Sequence, residues 1–212
     1  MSPAFIISSI FFLAGLIIIY WTHNQNHLDI VVSPSALPPK VPLISICVPA
    51  RNEENNLRKC LEAILAQTYP NFELIVLDDR STDATPTIIK ELSTDIRVHP
   101  LKGSNLPSGW AGKPHALHQA SNSARGEWLC FVDADTFLAP EALASCYSKA
   151  AETNADLFTV MTFQITGTFW EKTVLPLIMT ALSVGFSPRK VNDPQRPDAI
   201  ANGQFIMIKR SV

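Results

Sequence analysis

Short apolar runs alternate with helical patterns along this chain, and the runs close on polar or acidic residues. Leu43-Ile-Ser-Ile-Cys-Val48 reads as a buried strand, closed by Pro49 and followed by Arg51-Asn-Glu53. Phe72 to Leu77 is a second run and ends at Asp78-Asp79. Trp128 to Val132 is a later one and ends at Asp133-Ala-Asp135. Leu57, Cys60, Leu61, Ile64 and Leu65 recur at helical spacing. Thr85-Pro86 marks a helix start with proline in the first turn. A helix is expected over 113–125, facing inward through Leu117, Ala120, Ser121 and Ala124 and stopped by Gly126. Pro140 opens another, with Leu143, Cys146, Tyr147, Ala150 and Ala151 on one face. Ile96-Arg-Val98 reads as a short strand, 156–165 as a longer one, and 201–208 as a turn into a last strand. The alternation predicts an α/β layered domain with a mostly parallel sheet. In such sheets ligands bind outside the carboxyl ends of the strands, where the polar motifs fall.

In an extended chain alternate side chains share a face, so Asp133 and Asp135 can point the same way. Two carboxylates at the end of a buried strand are costly unless something positive pairs them. Spacing alone leaves two readings open: a hard divalent cation carrying phosphate oxygens, or a strand-end turn facing water. Acidic or polar motifs at three strand ends are explained economically by a nucleotide diphosphate with a metal. One Asp would accept hydrogen bonds from the base, and the pair would hold the metal that holds the phosphates. Lys113, following Trp110-Ala-Gly112 at a helix start, would add charge beside the diphosphate, and a helix amino terminus favours anions. Taken alone, Lys113 reads as an exposed lysine. Neither GxGxxG nor GxxxxGK[ST] is present, which argues against a dinucleotide-binding enzyme.

Residues 4–21 carry no charge, and about 18 residues at ~1.5 Å each approach the hydrocarbon thickness of a bilayer. With Tyr20 and Trp21 at one end, where an aromatic belt belongs, they predict a transmembrane anchor over 1–22. A cleaved signal peptide fits less well, lacking a basic leader and a clear A-x-A site. The first basic residues afterwards are Lys40, Arg51, Arg58 and Lys59, which places the following domain in the cytoplasm by the positive-inside bias. A proline-rich linker is expected over 23–42 and the domain over 43–212. The net charge of −2 suggests no nucleic-acid partner. Cys47, Cys60, Cys130 and Cys146 show no zinc-like spacing and fall in apolar patterns, so reduced, buried thiols are expected. The apolar stretch 173–186 reads as either an interfacial helix or a core helix.

The chain resembles the family 2 glycosyltransferases of the GT-A fold. The residues that carry the resemblance are Val48-Pro-Ala-Arg-Asn-Glu-Glu54, Leu77-Asp-Asp-Arg-Ser-Thr-Asp83, Gly112-Lys113 and Phe131-Val-Asp-Ala-Asp135. Pro107-Ser-Gly-Trp-Ala-Gly-Lys-Pro-His115 and Ala201-Asn-Gly-Gln-Phe205 look closest to the membrane-bound branch associated with hopanoid and carotenoid biosynthesis. The resemblance implies a three-layer αβα domain. It implies that Pro49, Ala50, Arg51 and Glu53 line a nucleotide pocket, that Asp78 or Asp79 contacts the base, and that Lys113 neutralises phosphate. Asp133 and Asp135 would hold Mg²⁺ or Mn²⁺, and Asp133 would also border the nucleotide sugar. Asn202, Gly203 and Gln204 would form a loop near donor sugar and acceptor, unless they are an ordinary Asn-Gly turn. The implied reaction is an inverting transfer from a UDP- or GDP-linked sugar to a lipid, terpenoid or glycan hydroxyl, catalysed at the cell membrane.

One departure stands out. Similar enzymes carry a later Glu-Asp pair whose Asp acts as general base, and no such pair follows Asn202 here. Asp193 and Asp198, beside prolines, are poor substitutes. The chain is therefore expected to be the amino-terminal part of a longer enzyme, or a donor-binding fragment without its base. A nucleotidyltransferase would need a glycine-rich phosphate loop after the first strand, which Pro49-Ala-Arg-Asn-Glu53 is not.

Overall fold

The computed structural model describes residues 3–26, 32–33, 36–186, 188–193, 195–197 and 200–212. Asp198 and residues 27–31 and 34–35 of the expected linker lie outside them. In chain order the elements are α1 (Pro3–Asn26), β1 (Ile44–Ala50), α2 (Leu57–Leu65), β2 (Phe72–Asp78), α3 (Thr85–Leu92), β3 (Val98–Lys102) and α4 (Gly112–Ser123). There follow β4 (Trp128–Val132), α5 (Ala142–Glu152), β5 (Leu157–Thr159), α6 (Phe169–Gly185), α7 (Pro188–Val191) and β6 (Phe205–Lys209). The chain divides into two units, one of residues 32–162 and 201–212, the other of 1–31 and 163–200.

The larger unit is built on a sheet of order β3-β2-β1-β4-β6-β5. The first four strands run parallel, and β6 is antiparallel to both of its neighbours. Period-two alternation divides the core between the two faces. Ile44, Ile46 and Val48 of β1 and Phe72, Leu74 and Val76 of β2 pack with Leu57, Leu61 and Ile64 of α2, Ile88 of α3 and Leu143 of α5. Cys47, Ile75 and Leu77 face the other way, onto Ala116, Ala120 and Ala124 along α4. Helices thus cover both faces of a mixed, mostly parallel sheet, as expected.

Several local readings shift. The inward stripe of α4 is Ala116 and Ala120, continued by Ala124 just past its end, with buried His115 beside it, and Leu117 and Ser121 are only half-buried. Small alanines let this helix approach the sheet closely. The short strand begins at Val98: Ile96 is 90% exposed, because Asp95 caps a turn, its carboxylate accepting from the Arg97 amide and guanidinium. β3 then runs through Pro100, which is tolerated on a sheet edge. The strand expected over 156–165 shrinks to three residues, since β6 offers β5 partners only for Leu157 to Thr159. The proline-rich segment does not stand clear of the domain. Tyr69 and Tyr147 hydroxyls donate to the carbonyls of Pro42 and Lys40, the Asn71 side-chain Nδ2 to that of Val41, and Leu37 and Val41 pack against the core.

In the smaller unit, α6 covers the apolar stretch and extends it toward the amino terminus. A capping box fixes its start: the Thr168 hydroxyl accepts from the Glu171 amide, and the Glu171 carboxylate accepts from the Thr168 amide. Its apolar side chains are not core, Leu177 being 67% exposed. Many α1 side chains, Phe12 and Ile17 among them, are exposed as well. Among the described residues no helix is long and apolar enough to cross a membrane. The anchor expected over 1–22 therefore finds no support among the described residues.

Candidate functional site

The carboxyl ends of β1, β2 and β4 meet the amino end of α4 around a cavity of about 290 Å³. It is lined by Pro49, Ala50, Arg51, Glu53, Asp79, Gly112, Lys113, Ala116, Asp133, Ala134 and Asp135. A larger hollow of about 610 Å³ lies at the other end of β4, between Lys40, Trp128, Tyr147 and Lys209. Its two lysines are already paired, with Glu127 and Asp156, and no strand-end motif reaches it.

The loops after β1 and β2 fold as one piece. Asn52 and Arg80 both take left-handed backbone, with φ of 57° and 60°. The Asn52 side-chain oxygen accepts from the Thr82 amide at 2.8 Å, and the Asn52 amide donates to the Ser81 hydroxyl at 3.0 Å. The Glu53 amide donates to Thr85 Oγ1, the Glu54 amide to Asp83, and the Glu54 carboxylate accepts from the Ala84 amide. Short polar side chains that bond nearby backbone favour such loops. Sequence reasoning named both motifs but missed this mutual lock. Its signal was there in the Asn, Ser, Thr and Asp residues that each motif carries.

The two aspartates after β2 separate. The Asp78 carboxylate turns back to accept from the Ser81 amide at 2.9 Å and does not line the cavity. Asp79 lines it and is only 5% exposed. Its amide extends the β1–β2 ladder by donating to the Ala50 carbonyl at 2.8 Å. Its buried charge is compensated by Arg80 Nε at 2.9 Å and Arg51 Nη1 at 3.8 Å. The backbone at Gly103 comes so close that a Cβ there would lie 3.2 Å from Asp79 Oδ1.

Asp133 and Asp135 both line the cavity, although not as an extended pair. β4 ends at Val132, and the Thr136 amide donates to the Asp133 carbonyl at 3.0 Å, closing a turn. The Asp133 carboxylate is ion-paired with Lys113 Nζ at 2.5 Å. Beneath the turn, the Cys60 thiol donates to the Asp133 carbonyl at 3.5 Å. Burial pushes that thiol up to about 12, and the charges of Asp135, Asp133 and Glu53 add to the rise. Among the described residues no three His, Cys, Asp or Glu side chains converge as a metal site. Two carboxylates on an open cavity nevertheless suit Mg²⁺ or Mn²⁺, which take their remaining oxygens from phosphates and water.

The 202–204 loop is brought alongside but does not line the cavity. The β4–β6 register sets Val132 against Phe205, and the Asp133 amide donates to the Gln204 carbonyl at 3.3 Å. Gly203 faces Lys113, whose Nζ would lie 4.0 Å from a Cβ at that position. The Asn202 side chain is engaged in holding the loop, donating to the Val160 carbonyl at 3.0 Å and accepting from the Gln204 amide at 3.4 Å. Of the late carboxylates, Asp193 belongs to the smaller unit and takes part in a local turn, accepting from the Gln195 amide.

Known proteins share this fold. A mannosyltransferase from Pyrobaculum calidifontis, solved with GDP-Man and Mn²⁺, matches 98% of the chain and 55% of its own with a TM-score of 0.64. At 21% identity that is a likeness of fold, and it makes the sheet GT-A-like. TarS of S. aureus superposes over 59% of this chain and 22% of its own, with a TM-score of 0.51 and 28% identity. In sequence, the glycosyltransferase GlyA of Streptococcus pneumoniae is 38% identical over 115 residues, covering 54% of this chain. The 4,4'-diaponeurosporenoate glycosyltransferase of Staphylococcus aureus is 35% identical over 132 residues, covering 60% of this chain. The chain spans 16% of the first of these relatives and 34% of the second. The family described as Glycosyl transferase family 2 matches residues 45–212. That span contains the whole lining of the cavity, and this chain belongs to glycosyl transferase family 2.

Proposed function

We propose that the chain carries the donor-binding half of a glycosyltransferase, holding a nucleotide sugar with its diphosphate against Lys113 and a divalent cation. The observation that carries this reading is the convergence of Arg51, Glu53, Asp79, Lys113, Asp133 and Asp135 on one cavity. Asp79, buried and pointing inward, is placed to accept hydrogen bonds from the base, with Pro49, Ala50, Arg51 and Glu53 around base and ribose. Lys113, at the amino end of α4, faces the phosphates. Asp133 and Asp135 would hold Mg²⁺ or Mn²⁺, which, when bound, stabilises charge on the departing diphosphate. Gly203, close to Lys113, borders the space left for the sugar and the acceptor. The reaction class is inverting transfer to a lipid, terpenoid or glycan hydroxyl. Support for a lipid or terpenoid comes from the likeness to the diaponeurosporenoate enzyme and from the exposed apolar side chains of α1 and α6. The same side chains support attachment to the cell membrane, and the basic residues Lys40, Arg51, Arg58 and Lys59 that follow the first apolar stretch support a cytoplasmic domain.

Calorimetric titration of the full chain with UDP and GDP, with and without Mn²⁺, tests the donor site. Binding is expected to tighten with Mn²⁺, and Asp135→Asn is expected to remove that gain. A gain that survives in the variant would place the metal elsewhere. A second reading is donor binding without transfer, since the carboxylates that line the cavity are the ones assigned to nucleotide and cation. Turnover of a radiolabelled donor onto a lipid extract by this chain would exclude it.

A further inference from the structure

Among the described residues, the hydroxyl of Thr136 is the buried side-chain polar atom that has no hydrogen-bond partner. The residue is 7% exposed. An unpaired buried hydroxyl is costly, so its presence next to a candidate site calls for a state in which it is paired. Thr136 follows Asp133-Ala-Asp135 directly, and its own amide closes the turn onto the Asp133 carbonyl at 3.0 Å. Asp133 and Thr136 therefore stand at the two ends of a single four-residue turn, with Cα atoms within about 7 Å. The Asp133 carboxylate is meanwhile drawn to Lys113 at 2.5 Å.

We propose that Thr136 is a positioning residue for the bound cation: when a diphosphate engages Lys113, the Asp133 carboxylate leaves that ion pair and accepts the Thr136 hydroxyl as it turns to the metal. The proposal rests on the donor-site reading above. Without ligand, Lys113 pairs with Asp133 and the Thr136 hydroxyl has no partner. With ligand, Lys113 pairs with phosphate, and the hydroxyl fixes the orientation of a ligating carboxylate. Outer hydrogen bonds of this kind hold metal-binding side chains in place, and their loss typically lowers metal affinity about 10- to 100-fold.

Thr136→Val keeps the side-chain shape and removes the hydroxyl. In the free chain it breaks no hydrogen bond, so thermal unfolding without ligand is expected at an unchanged or higher temperature. Affinity for UDP or GDP without metal is expected to be unchanged. The tightening by Mn²⁺ is expected to shrink about tenfold, and Thr136→Ser is expected to restore it. Should the valine variant fail to fold, Thr136→Ser and Thr136→Ala differ only in the hydroxyl and make the same comparison. A full Mn²⁺ gain in the variants that lack the hydroxyl overturns the proposal. So does a lower unfolding temperature for Thr136→Val without ligand, since the hydroxyl would then be paired already. Wild-type chain that binds nucleotide with no Mn²⁺ gain overturns the donor-site reading and this proposal with it. A gain that is present in wild type and intact in Thr136→Val overturns this proposal alone.

Discussion

At the scale of single residues, the site depends on which atom of a motif can turn inward. Asp78 and Asp79 are chemically identical neighbours, yet one closes a local turn and the other faces the cavity beside two guanidinium groups. The sequence could not choose between them, because the choice depends on Ser81 and Arg80 finding their partners after the chain has turned. Asp133 and Asp135 were legible as a pair, but their common direction comes from a turn and not from strand alternation. Gly126 shows how little slack the junction of α4 and β4 has. A Cβ there would lie 2.7 Å from the Leu43 carbonyl and from the Ser45 amide and hydroxyl, all held in or beside the sheet. Gly126→Ala is expected to lower stability by about 1–3 kcal/mol in urea unfolding, because backbone atoms of β1 would have to move.

Between elements, the cavity is shaped by two loops that lock to each other. Asn52→Ala removes the acceptor for Thr82 and leaves alanine in a left-handed conformation at φ 57°. It is expected to weaken nucleotide binding about 5- to 30-fold, by ~1–2 kcal/mol, while circular dichroism shows the sheet and helices retained. At the amino ends of the strands another lock joins three segments. Glu73 of β2 accepts from the Ser45 hydroxyl of β1 at 2.6 Å, and from the Arg125 amide and guanidinium ahead of β4. Burial pushes the Glu73 carboxyl up, but these hydrogen bonds and the Arg125 charge together hold it below its ordinary value of 4.5. A carboxyl held low in the fold stabilises it above its unfolded value, and that contribution disappears as pH falls through the folded value. Stability is therefore expected to drop as the pH goes below about 4.5. Glu73→Gln is expected to be less stable at pH 7 and to show a shallower acid limb, which chemical denaturation from pH 3 to 7 would reveal. The element pattern itself was largely legible, since helix and strand periods are local. The ends of β3 and β5 were not, being set by the Asp95–Arg97 turn and by the short reach of β6.

Across the whole molecule, the four thiols are distributed through the core without pairing. Burial pushes Cys47, Cys60 and Cys146 up to about 12 and Cys130 well above its ordinary range. A thiol reagent at pH 8 is expected to label none of them in the folded chain and all four in guanidinium. Labelling of Cys60 in the native state would mean that the turn carrying Asp133 and Asp135 opens readily. The sequence by itself determined the layered α/β class, the strand ends that bear the polar motifs and the apolar character of 4–21 and 173–186. These are matters of composition and short-range period. Tertiary structure alone decided that Asp79 faces inward, that β6 enters antiparallel between β4 and β5, and that Gly203 comes to rest by Lys113. It also left the Thr136 hydroxyl buried and unpaired. The place of β6 and the approach of Gly203 to Lys113 depend on residues tens of positions apart meeting across the sheet, and no local period records such a meeting.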